Sequence, residues 1–462
     1  MRSFRRLFAP ALLAAAAVIA PAYADAPIIQ TRFTADPAPL VHDGVVYLYT
    51  SHDEDDADGF KMLDWRLYSS TDMANWTDRG VAASLKTFPW AVQSNDAWAP
   101  QVVARDGKFY LYTPISVAGS PKNVIAVAVA DTPAGPFRDV LGKPLIAPGE
   151  GYIDPTVWID KDGQAYLYWG NPDLWYVKLN RDMVSYSGPI TKVQPRITDY
   201  QEGPWFYERK GRYYMAFAST CCSEGIGYAM SEKPTGPWTY KGPIMDHDTR
   251  ATGNHPGIID YKGGSYVFGF SYELNFALTP IHHERRSVSV AKFTYNADGT
   301  IPNLGWWDKA RAPQIGTLDP YARVEAETIA WTSRIKRDRD RAFSWVPGVT
   351  TAQDDRGRVY VTRTADRSFI KVAGVDFGAS GAKVFHAGYA NGAPDAKIEL
   401  RLDRVDGAVI GTMPVGAGGA AGQWREASAA VSGARGVHDL YLVFRGGDAP
   451  SLVDVDYWRF DR

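Results

Sequence analysis

The chain has 462 residues, 45% hydrophobic and 22% charged, with 50 basic against 52 acidic side chains. That balance excludes a general nucleic-acid binder, the hydrophobic content excludes disorder, and two cysteines exclude a disulfide scaffold. An aromatic content of 13%, with 43 Gly and 30 Pro, points to an all-β protein of short strands and frequent turns.

Residues 1–24 read as a targeting segment. Arg2, Arg5 and Arg6 form a charged start, an apolar run follows from Leu7 to Ala20, and Ala22-Tyr23-Ala24 is a small-x-small cleavage site. The run is interrupted by Pro10 and is shorter than the roughly 20 residues of a membrane span. The expectation is an exported protein, periplasmic or secreted, with a mature chain that does not sit in a membrane.

Residues 25–307 carry a fivefold repeat of a proline, an apolar stretch, a Gly turn and a Tyr-rich strand. The copies are DPAPLVHDGVVYLYT, APQVVARDGKFYLYT, DPTVWIDKDGQAYLYWG, GPWFYERKGRYYMAF and HPGIIDYKGGSYVFGF, with Pro37, Pro100, Pro155, Pro204 and Pro256 in register. Asp-Gly, Lys-Gly and Gly-Gly supply the positive φ of a tight hairpin. A third and an outer strand follow in YSSTDMANWTDRG, VAVADTPAGPFRD and YAMSEKPTGPWTYKG. Four strands repeated five times predict a five-bladed β-propeller.

In a propeller the first strand of each blade lines the central channel. The position before each shared proline therefore falls near one channel mouth: Asp36, Trp98-Ala99, Asp154, Glu202-Gly203 and His255. Three converging carboxylates repel one another and raise at least one pKa, an arrangement suited to acid–base chemistry on a glycosidic bond or to a cation. Gly203-Pro204-Trp205-Phe206 solvates poorly and favours Glu202 as the protonated member. Glu202 lies one residue further from its proline than the Asp pair, so a bulge or its extra methylene has to aim it inward.

Trp65, Trp90, Trp98, Trp169 and Trp205 lie near the blade motifs; some are expected to form sugar subsites, with Trp90 among the candidates, and most to pack between blades. The insertion HDEDDADGFKM lacks the ordered ligand spacing of a calcium loop and reads as a solvated rim loop over the site. The adjacent Cys221 and Cys222 form either a vicinal disulfide or two buried thiols, and their strand-exit position makes Cys222 a candidate pocket wall. Residues 308–320 read as a linker that packs against the propeller. Residues 321–462, rich in Val, Ala and Gly with alternating strands such as KIELRLD and DLYLVFR, predict a β-sandwich.

Taken together, FTADPAPLV, NDAWAPQV, GYIDPTVW, YQEGPWFY, GNHPGII and ERRSVSV resemble glycoside hydrolase family 43, five-bladed propellers that hydrolyse pentose glycosides with inversion. The resemblance implies Asp36 as general base, Glu202 as general acid and Asp154 as the residue that raises and orients the acid. It also implies Arg286 on substrate hydroxyls, Trp98 as a wall of the sugar subsite, and His255 facing an axial calcium ion. RVEAETIAW, SFIKVAGVDFGASGAKVFHAGYANG and SLVDVDYWRF resemble carbohydrate-binding module family 6, a jelly-roll sandwich in which Glu325, Glu327 and Asp456 match a structural calcium site. The loop RGGDAPSLVDVD has no Asn where that family usually places one, which leaves a sugar-binding module and a purely structural cap both open.

The implied activity is an inverting exo-hydrolase that releases xylose or arabinose from xylan-derived saccharides, with an oligo- or polysaccharide as partner and no organic cofactor. A non-catalytic sugar-binding propeller is the alternative that the acid trio argues against. A retaining fructan-type propeller would need carboxyls about 5–5.5 Å apart.

Overall fold

The computed structural model describes residues 23–220, 223–333, 336–337, 345–346, 348–416 and 422–462. Residues 1–22 of the predicted targeting segment (residues 1–24) and the Cys221-Cys222 pair lie outside the described residues.

Five antiparallel sheets follow one another in chain order. Blade 1 comprises Phe33–His42, Val45–Asp53, Asp64–Ser70 and Trp76–Ser84, and blade 2 Gln101–Arg105, Lys108–Ser116, Asn123–Ala130 and Arg138–Asp139. Blade 3 comprises Thr156–Ile159, Ala165–Trp169, Trp175–Leu179 and Tyr186–Lys192, and blade 4 Tyr200–Arg209, Arg212–Ser219, Ile226–Ser231 and Thr239–Met245. Blade 5 differs from the fourfold expectation: it has three strands, Gly257–Tyr261, Gly264–Ser271 and Ser287–Phe293. In place of a fourth, flanking segments bond to the last strand, through Ile28 N–H to the Val288 carbonyl (2.8 Å) and Lys292 N–H to the Arg311 carbonyl (3.2 Å). The ring closes where Thr34 N–H of blade 1 donates to the Arg286 carbonyl of blade 5, at 2.9 Å.

The aromatic residues that mark the repeats in sequence fill the spaces between blades. Trp65, Trp169, Tyr49, Tyr112, Tyr168 and Tyr214 are fully buried, and rings meet edge to face, as Tyr168 does with Phe206 at 4.9 Å. Each such ring buries a large apolar area at modest entropic cost, so a fold of short strands gains a continuous core.

The C-terminal part is a sandwich of two sheets. One runs Thr350–Gln353, Val359–Thr362, Asp454–Asp461, Val384–Ala390, Arg425–Ala430; the other runs Trp331–Thr332, Phe369–Asp376, Val437–Arg445, Lys397–Leu402, Val409–Pro414. Trp458, Phe460, Phe385 and Leu442 are among the residues of its core. The two parts are joined by more than a linker. Thr328–Ile329 pairs with Thr77 and Trp76 and adds a fifth strand to blade 1. Buried Asp78 takes hydrogen bonds from Arg66 on its own blade (3.1 Å) and from Thr351 of the sandwich (2.6 Å). Gln314, within the predicted linker, donates to Asp72 of the propeller (3.1 Å) and to the Ala373 carbonyl of the sandwich (3.0 Å).

Blade 1 therefore completes its edge with residues of the second part. Removing residues 321–462 is expected to expose that edge and leave Asp78 without one of its donors, lowering the melting temperature of the propeller and promoting aggregation. Thermal denaturation of the truncated chain checks this; an unchanged melting temperature would show the sandwich to be a separate passenger.

Candidate active site

The repeat places three equivalent backbones around the axis, and all three adopt the left-handed conformation. Asp36 has φ +52°, Asp154 +58° and Gly203 +56°. A side-chain-bearing residue at positive φ is strained, and such strain persists where the surrounding structure imposes it. In blades 1 and 3 that position carries a carboxylate. In blade 4 it must be glycine, because a Cβ there would lie 2.5 Å from the His255 ring. The blade 4 acid is displaced to Glu202, and the ladder shows irregularities on both sides of it, between Tyr200 and Glu202 and between Glu202 and Trp205. The bulge required by the sequence spacing is present.

His255 stands at the centre. Its Nδ1 lies 3.1 Å from Asp36 Oδ1, and its Nε2 lies 3.4 Å from Glu202 Oε1 and 3.6 Å from Asp154 Oδ2. Burial opposes a charge on the ring, but Asp154, Asp36 and Glu202 outweigh it and push the imidazole up to about 10. The three carboxyls around His255 thus favour its charged form.

Asp36 is held by Ser51 Oγ on one oxygen and by Arg286 Nη1 (3.2 Å) on the other. Arg286 is a buried cation. It grips Asp53 through Nε (3.0 Å) and Nη2 (2.8 Å), and Asp53 is 0% exposed. Arg286, expected as a donor to substrate hydroxyls, lines the cavity, and its N–H groups bond Asp53, Asp36 and Met62. Asp53 belongs to the acidic insertion that reads as a solvated rim loop. Pairing with Arg286 instead buries it, a long-range contact that sequence spacing does not reveal.

Asp154 accepts the Gly203 N–H at 3.0 Å. Burial, reinforced by the charges of Glu202 and Asp36 and opposed by His255 and the Gly203 N–H, pushes it up to about 7. Glu202 Oε2 is bonded by the Asn171 side-chain amide. A fourth carboxyl, Glu224, escaped the sequence reading because it lies in the turn after the second strand of blade 4, outside the repeated motif. It is 1% exposed, takes a backbone hydrogen bond from Asn254 and has an Oε2 with no partner among the described residues. Burial and the Glu202 charge push it up to about 8.

These groups line a cavity of about 310 Å³ at one mouth of the channel. Trp98, Phe60 and Met62 form its apolar side, and Phe60 is 46% exposed at the rim. The rim insertion is pinned rather than loose: Arg285 Nε donates to the Ala57 carbonyl (2.8 Å), and Asn95 bonds Phe60 O (3.0 Å) and Met62 N–H (2.8 Å). Trp98 stands where the sequence reading expects it. Trp90 does not: its indole donates to Asp139 Oδ2 on the outer strand of blade 2 (2.6 Å) and its ring packs edge-on to Phe88, away from the cavity. Of the other tryptophans, Trp65, Trp169 and Trp205 are buried packing residues.

Two groups of His and carboxylates among the described residues bring ligand atoms within 4.8 Å: Asp154–Glu202–His255, and His52–Glu54–Asp64 in the first blade. Below the former, an axial hole of about 20 Å³ is lined by Asp36, Gln101, Asp154, Gly203 and His255, space for one water or ion. Calcium takes six to eight oxygen ligands, and the protein offers here a protonated imidazole and carboxyls already balanced by it. The set fits calcium only with the His255 proton released. The predicted calcium trio of the second part is not gathered: Glu325 and Asp456 share Arg323 (2.8 and 3.2 Å), and Glu327 is a buried carboxyl pushed up to about 9 by burial.

Three of these groups lose stabilisation as pH rises. A carboxyl raised in the fold contributes stability below its unfolded pKa of roughly 4 and loses it through the folded value, about 7 for Asp154 and about 8 for Glu224. His255, raised to about 10, contributes fully below roughly 6.5 and loses it through 10. The melting temperature is expected to fall as pH rises from about 4 to about 10. Asp154→Asn, which mimics the protonated carboxyl, should flatten the part of that fall between about pH 4 and 7; melting curves that respond identically in both chains would count against the assignment.

Residues 24–301 match the family model described as glycosyl hydrolases family 43, and residues 341–462 match carbohydrate binding module (family 6). The chain is 33% identical to an arabinoxylan arabinofuranohydrolase of Bacillus subtilis, over 94% of this chain and 92% of that one. It is 30% identical to a xylosidase/arabinosidase of Bacteroides ovatus, over 59% of this chain and 95% of that one. Among solved structures, a family 43 arabinoxylan arabinofuranohydrolase from Bacillus subtilis in complex with cellotetraose superposes with a TM-score of 0.80 at 31% identity, covering 95% of this chain and 97% of that one. A family 43 β-xylosidase/α-arabinofuranosidase from a compost microbial metagenome, in complex with xylotriose and described as the calcium-free form, gives 0.55 at 29% identity over 62% and 98%.

Proposed function

The chain belongs to glycosyl hydrolase family 43 and carries a family 6 carbohydrate-binding module, and from that membership and the axial carboxyls we propose that it is an inverting exo-hydrolase releasing arabinose or xylose from xylan-derived saccharides. The observation that carries the proposal is the placing of Asp36 and Glu202 on opposite ring nitrogens of His255 within one sugar-sized cavity. A spacer of that kind favours the wide separation, roughly 6.5–9.5 Å, that leaves room for a water beside the sugar.

In this reading Asp36, bonded by Arg286 and next to His255, takes a proton from water as the water attacks the anomeric carbon. Glu202 protonates the departing oxygen on the other face. Asp154 and His255 fix the orientation of both, and Trp98 walls the sugar ring. The pinned insertion lines one side of the cavity with Phe60 and Met62, which supports exo action. Two relatives that align over 94% of this chain bear the arabinoxylan arabinofuranohydrolase name, which favours an arabinofuranoside substrate, and a more distant one, 24% identical over 91% of the chain, bears the name xylosidase/arabinosidase. Hydrolysis of nitrophenyl arabinofuranoside and nitrophenyl xyloside, followed by proton NMR of the first-formed sugar, tests it. Inverted product supports the scheme, and retained product rules it out.

A calcium ion on the axis is a second source of the positive charge that His255 provides. It would be held by His255 with its proton released and by oxygens of the axial hole, and would supply charge neutralisation alone. Calcium that raises the melting temperature of chelator-treated protein, but not of His255→Ala, supports it; identical curves in calcium and chelator exclude it. Export with cleavage after Ala24 belongs to the same proposal and rests on the sequence of residues 1–24; intact mass of the mature protein checks it.

A further inference from the structure

Glu202 is oriented by a residue outside the repeated motifs. Asn171 follows the second strand of blade 3, and its side-chain Nδ2 donates to Glu202 Oε2. Which end of an amide faces a partner is settled by its other bonds. Here Gln201 Nε2 donates to Asn171 Oδ1 at 3.0 Å, so Oδ1 is the acceptor and Nδ2 is turned to Glu202.

The backbone that carries Asn171 is fixed. Its N–H bonds the Gly151 carbonyl at 2.9 Å, and a Cβ on Gly151 would stand 1.8 Å from the Asn171 carbonyl oxygen. The preceding Gly170 carbonyl accepts the hydroxyl of fully buried Tyr200, two residues before Glu202. Blade 3 and the bulged strand of blade 4 are thus locked together next to the acid. With Oε2 engaged by Asn171, Oε1 is the oxygen left toward His255 and toward Gly253, whose missing side chain keeps that side open: a Cβ there would be 2.9 Å from Oε1.

We propose that Asn171, fixed by Gln201, is a positioning residue for the general acid: by holding Glu202 Oε2 it presents Oε1 as the oxygen that meets the leaving group. This rests on the reading of Glu202 as the acid. A misplacement of about 1 Å at a reacting group costs on the order of 10²-fold, and the loss should be concentrated where protonation of the leaving group matters most.

The experiment compares Asn171→Ala and Asn171→Asp with the unaltered full-length chain on two substrates, an arabinofuranosyl-substituted xylo-oligosaccharide and nitrophenyl arabinofuranoside. The expected result for both variants is a fall in kcat of roughly 10- to 100-fold on the oligosaccharide with KM within about twofold, and a much smaller fall on the nitrophenyl glycoside, whose leaving group needs little protonation. Asn171→Asp keeps the shape and loses the N–H donor, so it separates the hydrogen bond from packing. Equal losses on both substrates, or an Asn171→Asp chain with wild-type kcat on the oligosaccharide, would overturn the proposal. Glu202→Gln serves as control: full activity in that variant overturns the assignment of the acid itself, whatever Asn171 does.

Discussion

Replacing Asp36 by alanine is expected to lower kcat on pentosides by about 10²–10⁴-fold, the range of a lost general base, while the protein remains folded. The contrast follows from the charges around the residue. Asp36 shares Arg286 with Asp53, and His255 with Glu202 and Asp154, so neither cation is left without a carboxyl when Asp36 goes. The cavity gains a small void and loses the group that accepts the water proton. Initial rates on nitrophenyl pentosides together with a melting curve decide the matter. A variant that retains most of its kcat would mean that water is activated elsewhere, and a variant that fails to fold would move Asp36 from chemistry to structure.

Arg286→Ala should behave in the opposite way and cost stability first. Its guanidinium is the partner of Asp53 and of Asp36, both buried, and burial opposes a charge on all three groups unless they are together. Removing one member of a buried pair leaves an uncompensated charge and typically costs about 3–5 kcal/mol. For domains of this size that corresponds to a drop in melting temperature on the order of 10 °C. The expectation extends to a cycle: in Asp53→Asn combined with Arg286→Met, which removes charge from both ends, part of the loss should return. If the single substitution leaves the melting temperature within about a degree, the Arg286–Asp53 pair contributes little and the closure of blade 1 onto blade 5 has another basis.

How much of the site was legible in the sequence can be read residue by residue. Asp36, Asp154 and His255 were legible because a propeller repeats its backbone, so equal positions in the repeat become neighbours around one axis. Glu202 was legible only with an offset, and the reason for it, the His255 ring lying against Gly203, needed coordinates. Trp98 lies in repeat register and lines the cavity, whereas Trp90, outside that register, bonds Asp139 at the outer edge of blade 2. Asp53, Asn171 and Glu224 carried no signal of their own, since each acts through a partner distant in the chain.

The sequence by itself determined the class of fold, the number of blades, the sandwich at the C-terminus and the trio of acids. These follow from local periodicity, turn chemistry and repeat register, which a linear pattern records. Tertiary structure alone decided how the charges of the site meet, with His255 and Arg286 both buried among its carboxyls. It also decided the pairing of Arg323 with Glu325 and Asp456, and the strand of the second part that finishes blade 1. Those features arise from burial and from contacts mostly far apart in the chain, where desolvation and opposite charges compete over a few ångströms.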